Sequence, residues 1–131
     1  MRIIKFKDSD SKQASKCISL ALRLVNSKFY PKRSIDYLIK QNTPAMLKQK
    51  AKHHNIIVAK IGGKIVGTIS LTKDGWIASM FVSPDYQNLG IGTKLIRKVE
   101  SIAKKKGFNA IRTHCSINSI GFYKLFSLKT A

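Results

Sequence analysis

Acidic residues are the scarcest charged groups in this chain, with 6 Asp and Glu against 25 Lys and Arg and a formal net charge of +19. A field of that sign attracts anions and repels polycations, so a polyamine is a disfavoured partner. The anions that it attracts include phosphate-bearing cofactors, RNA, DNA and acidic protein segments. Because the lysines are spread along the whole chain, a solvated basic surface is favoured over a dedicated nucleic-acid patch, and nucleic acid stays open as a partner without being favoured.

Cysteines and long apolar runs are scarce as well. Cys17 and Cys115 lie far apart in sequence, which favours free thiols in a reducing cytoplasm. The longest apolar run, 17–25, is broken by Ser19 and Arg23 and is far shorter than the ~20 residues that span a bilayer. The first residues lead directly into polar sequence, so we expect no signal peptide, no membrane partner and a cytoplasmic location. No His, Cys and acidic cluster has metal-site spacing, so no metal is expected.

The chain is expected to form a single domain over residues 1–131, because no segment has the composition of a linker. Apolar periodicity predicts the element order β-α-α-β-β-β-α-β-α, with a further short helix after the second. Gly62-Gly63 and Asp74-Gly75 predict hairpin turns that join three strands into an antiparallel meander. Segment 108–115 is expected to be the last strand, and segment 118–128 the final helix.

The most informative segment follows the third strand of this meander and reads Gln87-Asn88-Leu89-Gly90-Ile91-Gly92, with an amphipathic helix after it. Glycines 90 and 92 leave backbone N–H groups accessible at a helix N-terminus, where the macrodipole favours a phosphate or pyrophosphate. The spacing is neither the dinucleotide fingerprint, which needs a third glycine and a later acid, nor the Walker loop. A purely structural turn is less favoured, because a turn alone does not need both glycines.

This segment resembles the acetyl-CoA pyrophosphate loop of the GNAT (GCN5-related) N-acetyltransferases, whose signature is Gln/Arg-x-x-Gly-x-Gly/Ala. The resemblance extends to segments 65–68, 81–87 and 116–124, and so covers roughly the second half of the chain. It implies the GNAT fold, an α/β (α+β) architecture with a mixed, mostly antiparallel central sheet flanked by helices. Relatives continue into further strands beside the fifth one, so the end at Ala131 implies a sheet that is shortened at its C-terminus.

The same resemblance implies acetyl-CoA as co-substrate and assigns residues to it. The pantetheine arm would lie along the fourth strand, and the pyrophosphate at the glycine loop and the start of the helix. For Asn118, a helix N-cap role is favoured over contact with CoA, although both can hold. The residues implied for binding are Met80, Phe81, Val82, Gln87, Asn88, Leu89, Gly90, Ile91, Gly92, Thr93 and Asn118.

Catalytic residues are also implied by the resemblance. Tyr123 matches the tyrosine that protonates the leaving CoA thiolate as a general acid, and its alternative role is packing beside neighbouring phenylalanines. The fourth strand lacks the glutamate that many relatives use as general base. His114 is a candidate base, directly or through water, although a lone histidine is more often structural and a solvent-relayed base needs no residue. His53 and His54 are interpreted as surface residues.

The acceptor is expected to bind near the helices that follow the first strand, where Asn26 and Tyr30 are candidate lining residues. The leading hypothesis is an N-acetyltransferase that transfers acetyl from acetyl-CoA to an amine of a small molecule or protein by direct attack. One alternative is a CoA-binding regulatory module with little catalysis, since the usual carboxylate is missing. Another is an acetyltransferase acting on an RNA-linked amine such as that of an aminoacyl-tRNA. Because segment 108–115 carries little charge, an unpaired edge there also predicts a homodimer.

Overall fold

A computed structural model describes residues 1–113 and 129–130. These residues form a mixed α/β fold around one sheet with the strand order β1-β2-β3-β4-β5-β6. The strands are β1 (Arg2–Lys5), β2 (Asn55–Ile61), β3 (Lys64–Leu71), β4 (Trp76–Val82), β5 (Arg112–Thr113) and β6 (Lys129–Thr130). The helices are α1 (Ser11–Leu24), α2 (Lys32–Lys40), α3 (Pro44–Lys50) and α4 (Ile91–Lys105).

Strands β1 to β4 pair antiparallel, whereas β4 with β5 and β5 with β6 pair parallel. The turn between β2 and β3 has positive φ at both Gly62 (57°) and Gly63 (79°), the backbone of a type I′ turn that matches strand twist. The predicted meander and both of its hairpin turns are therefore confirmed. The mixed, mostly antiparallel sheet flanked by helices agrees with the expected fold class.

Helices cover both faces of the sheet. On one face α4 contributes Leu95, Ile96 and Val99, each fully buried, against β3. On the other face α1 packs against β3 and β4, and α3 packs against α1, within a second apolar cluster that includes Leu22 and Leu47. Since the side chains of a strand alternate between faces, β3 and β4 present different residues to α4 and to α1.

Helix α4 approaches β3 most closely at Gly67. A Cβ at Gly67 would lie 3.0 Å from Cγ2 of Ile91 and 3.1 Å from Cδ1 of Leu95. Ile91 is the first residue of α4. The absence of a side chain at position 67 therefore determines how close the N-terminus of α4 lies to the sheet.

The C-terminal part of the sheet differs from expectation. The strand predicted over 108–115 begins only at Arg112. Phe108 instead packs against the apolar cluster on the α4 face, and its N–H donates to the carbonyl of Ala103. The expectation that the chain supplies no strand beside β5 is wrong, because Arg112 pairs with Lys129 and Thr113 with Thr130. The predicted final helix lies outside the described residues, and self-association stays a prediction.

Two smaller observations concern thiols and membranes. Cys17 is a buried free thiol, and burial raises its pKa to about 11. Cys115 lies outside the described residues. In the part of the chain that the structure covers, none of the helices combines the length and apolar character that crossing a bilayer requires.

Candidate functional site

The side of β4 that faces away from β3, beyond its pairing with β5 at Trp76 and Ile77, is the first element of the site. Ser83 donates its N–H to the carbonyl of Val66 at 2.8 Å, which marks that pair as hydrogen-bonded in the β3–β4 ladder. In an antiparallel ladder, residue pairs that are hydrogen-bonded to each other alternate with pairs that are not. The backbone N–H and C=O groups of Met80 and Val82 therefore point away from β3. Those of Phe81 point toward β3, where Phe81 pairs with Thr68. Of the three residues expected to hold pantetheine, Met80 and Val82 therefore offer backbone groups, and Phe81 contributes its side chain to the cleft described below.

A β-bulge interrupts β4 at Ala78. Ser70 pairs with Ser79 and the next pair is Leu71 with Ile77, so Ala78 has no partner on β3. A bulge of this kind bends the strand and changes the direction of the adjacent backbone groups, and bulges are frequent beside active sites. The bulge lies four residues before the end of β4 at Val82.

The loop after β4 is held to that strand by a side chain. A short 3₁₀ turn covers Pro84–Tyr86, and the side-chain Nε2 of Gln87 then donates to the carbonyl of Val82 at 2.7 Å. Asn88 has φ of 62° and Gly90 has φ of 80°, both in the left-handed region that disfavours most side chains. These two residues turn the chain directly into α4.

The N-terminus of α4 lies open beyond Gly90. Its N-cap residue Gly90 provides no side-chain cap, and its first turn contains no acidic residue. The first bond of the helix runs from the N–H of Lys94 to the carbonyl of Gly90, so the N–H groups of residues 91–93 have no acceptor within the helix. A Cβ built at Gly90 meets nothing within 4 Å. The loop therefore combines free donors, a helix dipole and open space, which suits a phosphate group.

A cleft of about 960 Å³ joins this loop to the opposite face of the sheet. One wall consists of β4 and the loop 87–93, and the other consists of α1, α2, α3 and the start of β2. Asn26 lines the cleft as expected for an acceptor-side residue. Tyr30 is not among its lining residues and is 36% exposed.

His54 was interpreted as a surface residue, and this interpretation is wrong. It is half-buried and lines the cleft, with Nδ1 3.2 Å from Oγ of Ser70, whereas the neighbouring His53 is exposed. Burial, followed by the charges of Lys50 and His53, lowers the pKa of His54 below its usual 6.5, although Asp74 acts in the opposite direction. The imidazole is therefore mainly neutral at pH 7.

One sequence signal pointed toward this arrangement. Thr68 and Ser70 are hydroxyl residues on β3, where all residues after the exposed Lys64 are buried. Buried hydroxyl groups require hydrogen-bond partners. The sequence therefore indicated that another element supplies a polar partner to β3, but not that this partner is His54.

The remaining predicted residues fall into two groups. The structure places Gln87, Asn88, Leu89, Gly90, Ile91, Gly92 and Thr93 in one continuous loop and first helical turn beside Met80 and Val82. Tyr123, His114 and Asn118 lie outside the described residues. Within residues 1–113 and 129–130, no three His, Cys, Asp or Glu side chains are grouped so that they could bind a metal ion.

A family model described as "Acetyltransferase (GNAT) family" matches residues 20–127 of this chain. Among curated proteins, the chain is similar to the S-alkylcysteine N-acetyltransferase of Bacillus subtilis (strain 168). The two are 31% identical over 91 residues, which cover 60% of this chain and 51% of that protein. The chain thus spans about half the length of this relative, and 18% and 27% of two other curated proteins that it matches.

Solved structures share the fold at low identity. A GCN5-related N-acetyltransferase from Rhodopseudomonas palustris superposes with a TM-score of 0.87 at 19% identity, covering 95% of this chain and 79% of that chain. The PaiA N-acetyltransferase of Thermoplasma acidophilum, crystallised with coenzyme A, has a TM-score of 0.84 at 20% identity, with 96% and 86% covered.

Proposed function

Because the chain belongs to the GNAT (GCN5-related) family of acetyltransferases, we propose that it is an N-acetyltransferase that uses acetyl-CoA to acetylate an amine of a small molecule or protein. The observation that carries this proposal is the continuity of the backbone groups of Met80 and Val82, which point away from β3, with the open helix N-terminus at Gly90. The coenzyme A named for the Thermoplasma neighbour supports the same assignment.

The dimensions of this surface suit the cofactor. The N–H groups of residues 91–93 would bind the pyrophosphate, and the backbone groups of Met80 and Val82 would pair with the pantetheine amides as an added strand does. The strand from Val82 back to Ala78 covers roughly 13 Å at about 3.3 Å per residue, and the pantetheine arm would run along it from the loop toward the bulge. The acetyl group would then lie near the bulge at Ala78.

The proposed chemistry is a direct transfer. Acetyl-CoA supplies an acetyl group activated as a thioester. The acceptor nitrogen forms a bond to the acetyl carbon, the carbon–sulfur bond breaks, and the phenol of Tyr123 gives its proton to the departing thiolate. The surplus proton of the attacking amine must pass to a base.

Two histidines are candidates for that base. His114 is the candidate from the sequence, and His54 is favoured by its position in the cleft and its contact with Ser70. Ser70 pairs with Ser79, the residue next to the bulge, so His54 lies on the side where the acetyl group is proposed. Comparing His54→Gln with His114→Gln separates them. The base variant should lose the acidic limb of the pH profile of kcat/KM, and the other should retain it.

The proposed function is tested by two measurements on the full chain. Calorimetric titration with acetyl-CoA should give saturable binding, and release of CoA thiol should depend on an added amine. Binding without amine-dependent release would favour a regulatory CoA-binding module. Absence of acetyl-CoA binding would contradict the proposal altogether.

The cellular setting is a further part of the proposal. We expect the chain to act in the cytoplasm, because it contains only two cysteines and Cys17 is a buried free thiol. Localisation of a tagged chain by fluorescence microscopy tests this, and an exported or membrane-bound product would contradict it.

A further inference from the structure

The cleft wall opposite the glycine loop contains polar groups with no negative charge among them. The polar residues that line the cleft outside β4 and the loop 87–93 are Asn26, Gln41, Asn42, Lys50, His54, Thr68, Ser70 and Thr72. Among the described lining residues there is no Asp or Glu, and the acid next to the cleft, Asp74, accepts a hydrogen bond from Thr72 Oγ1. An acceptor that enters here therefore meets donors and one ammonium group.

Lys50 is the charged group of this wall. It is the last residue of α3 and is half-buried. Its Nζ donates to the side-chain Oδ1 of Asn42 at 3.3 Å, a neutral partner. In the described part of the chain the only ion pair is Lys60 with Asp10. Lys50 therefore has no carboxylate partner from these residues, and burial lowers the pKa of its ammonium group.

Asn42 holds this ammonium in place. Asn42 is 4% exposed, its Nδ2 donates to the carbonyl of Leu38 at 2.8 Å, and its own carbonyl accepts from Oγ of Ser15 at 2.7 Å. Both ends of the residue are thus fixed by helices α1 and α2. A lysine side chain held by such a partner gives up less conformational freedom when it binds an anion.

Lys50 also lies near the place where the acetyl group is proposed to lie. The backbone N–H of His54 donates to the carbonyl of Lys50 at 2.8 Å, and the His54 ring contacts Ser70. Ser70 in turn pairs with Ser79 beside the bulge at Ala78. A small molecule that places its amine at the bulge can therefore extend past His54 toward Lys50.

We propose that Lys50 binds the carboxylate of the acceptor, so that the acceptor is a small amino acid rather than a polyamine or a neutral amine. This inference rests on the proposed function. A half-buried ammonium without an anionic partner is destabilised relative to water, and a carboxylate in the cleft would restore its charge pairing. The alternative role of Lys50 is structural, since a cation in the last turn of α3 also complements the helix dipole.

The test compares acceptors that differ only in the carboxylate. Thiol release is measured with glycine, β-alanine and γ-aminobutyrate, with their amides, and with the corresponding alkylamines. We expect kcat/KM for the best amino acid to exceed that for its amide by roughly 10- to 100-fold, the range for a hydrogen-bonded charge pair. The three chain lengths measure the distance between Lys50 and the reacting amine.

Variants assign the preference to Lys50. Lys50→Met should lower kcat/KM for the amino acid roughly 10- to 100-fold and leave the amide rate nearly unchanged, while Lys50→Arg should retain part of the preference. Lys48→Met removes an exposed charge from the same helix and should change neither rate. Equal kcat/KM for acid and amide in the wild type, or an equal loss of kcat/KM for both in Lys50→Met, would overturn this inference but not the proposed function. Amine-independent or absent thiol release would count against the proposed function, and this inference would fail with it.

Discussion

The side-chain amide of Gln87 donates a hydrogen bond to the main-chain carbonyl of Val82, with 2.7 Å between Nε2 and O. Val82 is the last residue of β4, and its carbonyl points away from β3. The bond closes a five-residue loop at the end of the strand. It therefore sets where the left-handed turn at Asn88 and Gly90 begins, and with it the position of the N-terminus of α4.

We expect Gln87→Ala to weaken acetyl-CoA binding and to lower the free energy of unfolding by about 1 kcal/mol, since one neutral hydrogen bond is lost. Gln87→Glu should weaken binding further, because a carboxylate cannot donate to the Val82 carbonyl and repels a pyrophosphate. Calorimetric titration and thermal melts measure the two effects. Unchanged affinity in both variants would show that the loop position does not depend on this bond.

Gly90→Val is expected to abolish acetyl-CoA binding while the protein remains folded, because the side chain would occupy the open space above the helix N-terminus. The left-handed backbone adds about 1–2 kcal/mol of strain. Gly62→Val is the matched control, since Gly62 also has a positive φ and open surroundings but lies in the β2–β3 turn. Gly92→Val should behave like Gly90→Val. If Gly92→Val bound CoA with unchanged affinity, the loop assignment would be wrong.

Gly67→Ala should weaken acetyl-CoA binding indirectly, by displacing the first turn of α4 that follows the loop. The added methyl would contact Ile91 at 3.0 Å and push the first turn of α4 outward, at a stability loss of about 1–3 kcal/mol. Val99→Ala, further along α4, provides a control that destabilises the same core without touching that turn. Equal affinities for the two variants, measured by calorimetry at a temperature where both are folded, would refute the role of Gly67.

Tyr123→Phe should reduce turnover by ~100-fold or more and leave the affinity for acetyl-CoA nearly unchanged. In the proposed mechanism the hydroxyl protonates the departing thiolate, and phenylalanine keeps the ring while removing that proton. Paired kcat and binding measurements separate the two. Wild-type turnover in this variant would indicate that Tyr123 has a packing role and is not the general acid.

Mildly acidic pH should destabilise the wild type more than His54→Gln. The pKa of His54 is lowered in the folded state, mainly by burial, so the unfolded chain binds a proton first as pH falls below about 6.5. The free energy of unfolding therefore decreases as the pH falls below about 6.5, and His54 does not change it at higher pH. Melting temperatures at pH 7.5 and 5.5 test this. An equal decrease in melting temperature for both proteins would indicate that burial does not affect His54.

The sequence by itself determined the features that depend on local backbone chemistry. Gly62, Gly63 and Gly90 specify turns because few other residues adopt their left-handed backbone angles, and Gly90 and Gly92 together leave the N-terminus of α4 without covering side chains. The order of elements from β1 to β5 followed from apolar periodicity for the same local reason, whereas β6 was not predicted. Residues 87–93 are therefore identifiable as one candidate phosphate-binding loop from their residue types and spacing.

Tertiary structure alone decided which backbone groups and side chains meet across the cleft. The β3–β4 register and the bulge at Ala78 determine that Met80 and Val82, rather than Phe81, present their backbone groups. Lys50 and His54 lie at and just after the end of α3, whereas Ser70 lies on β3, so the contact of His54 with Ser70 depends on where the end of α3 lies relative to β3. Such contacts depend on packing between segments distant in sequence, which a local pattern of residues does not specify.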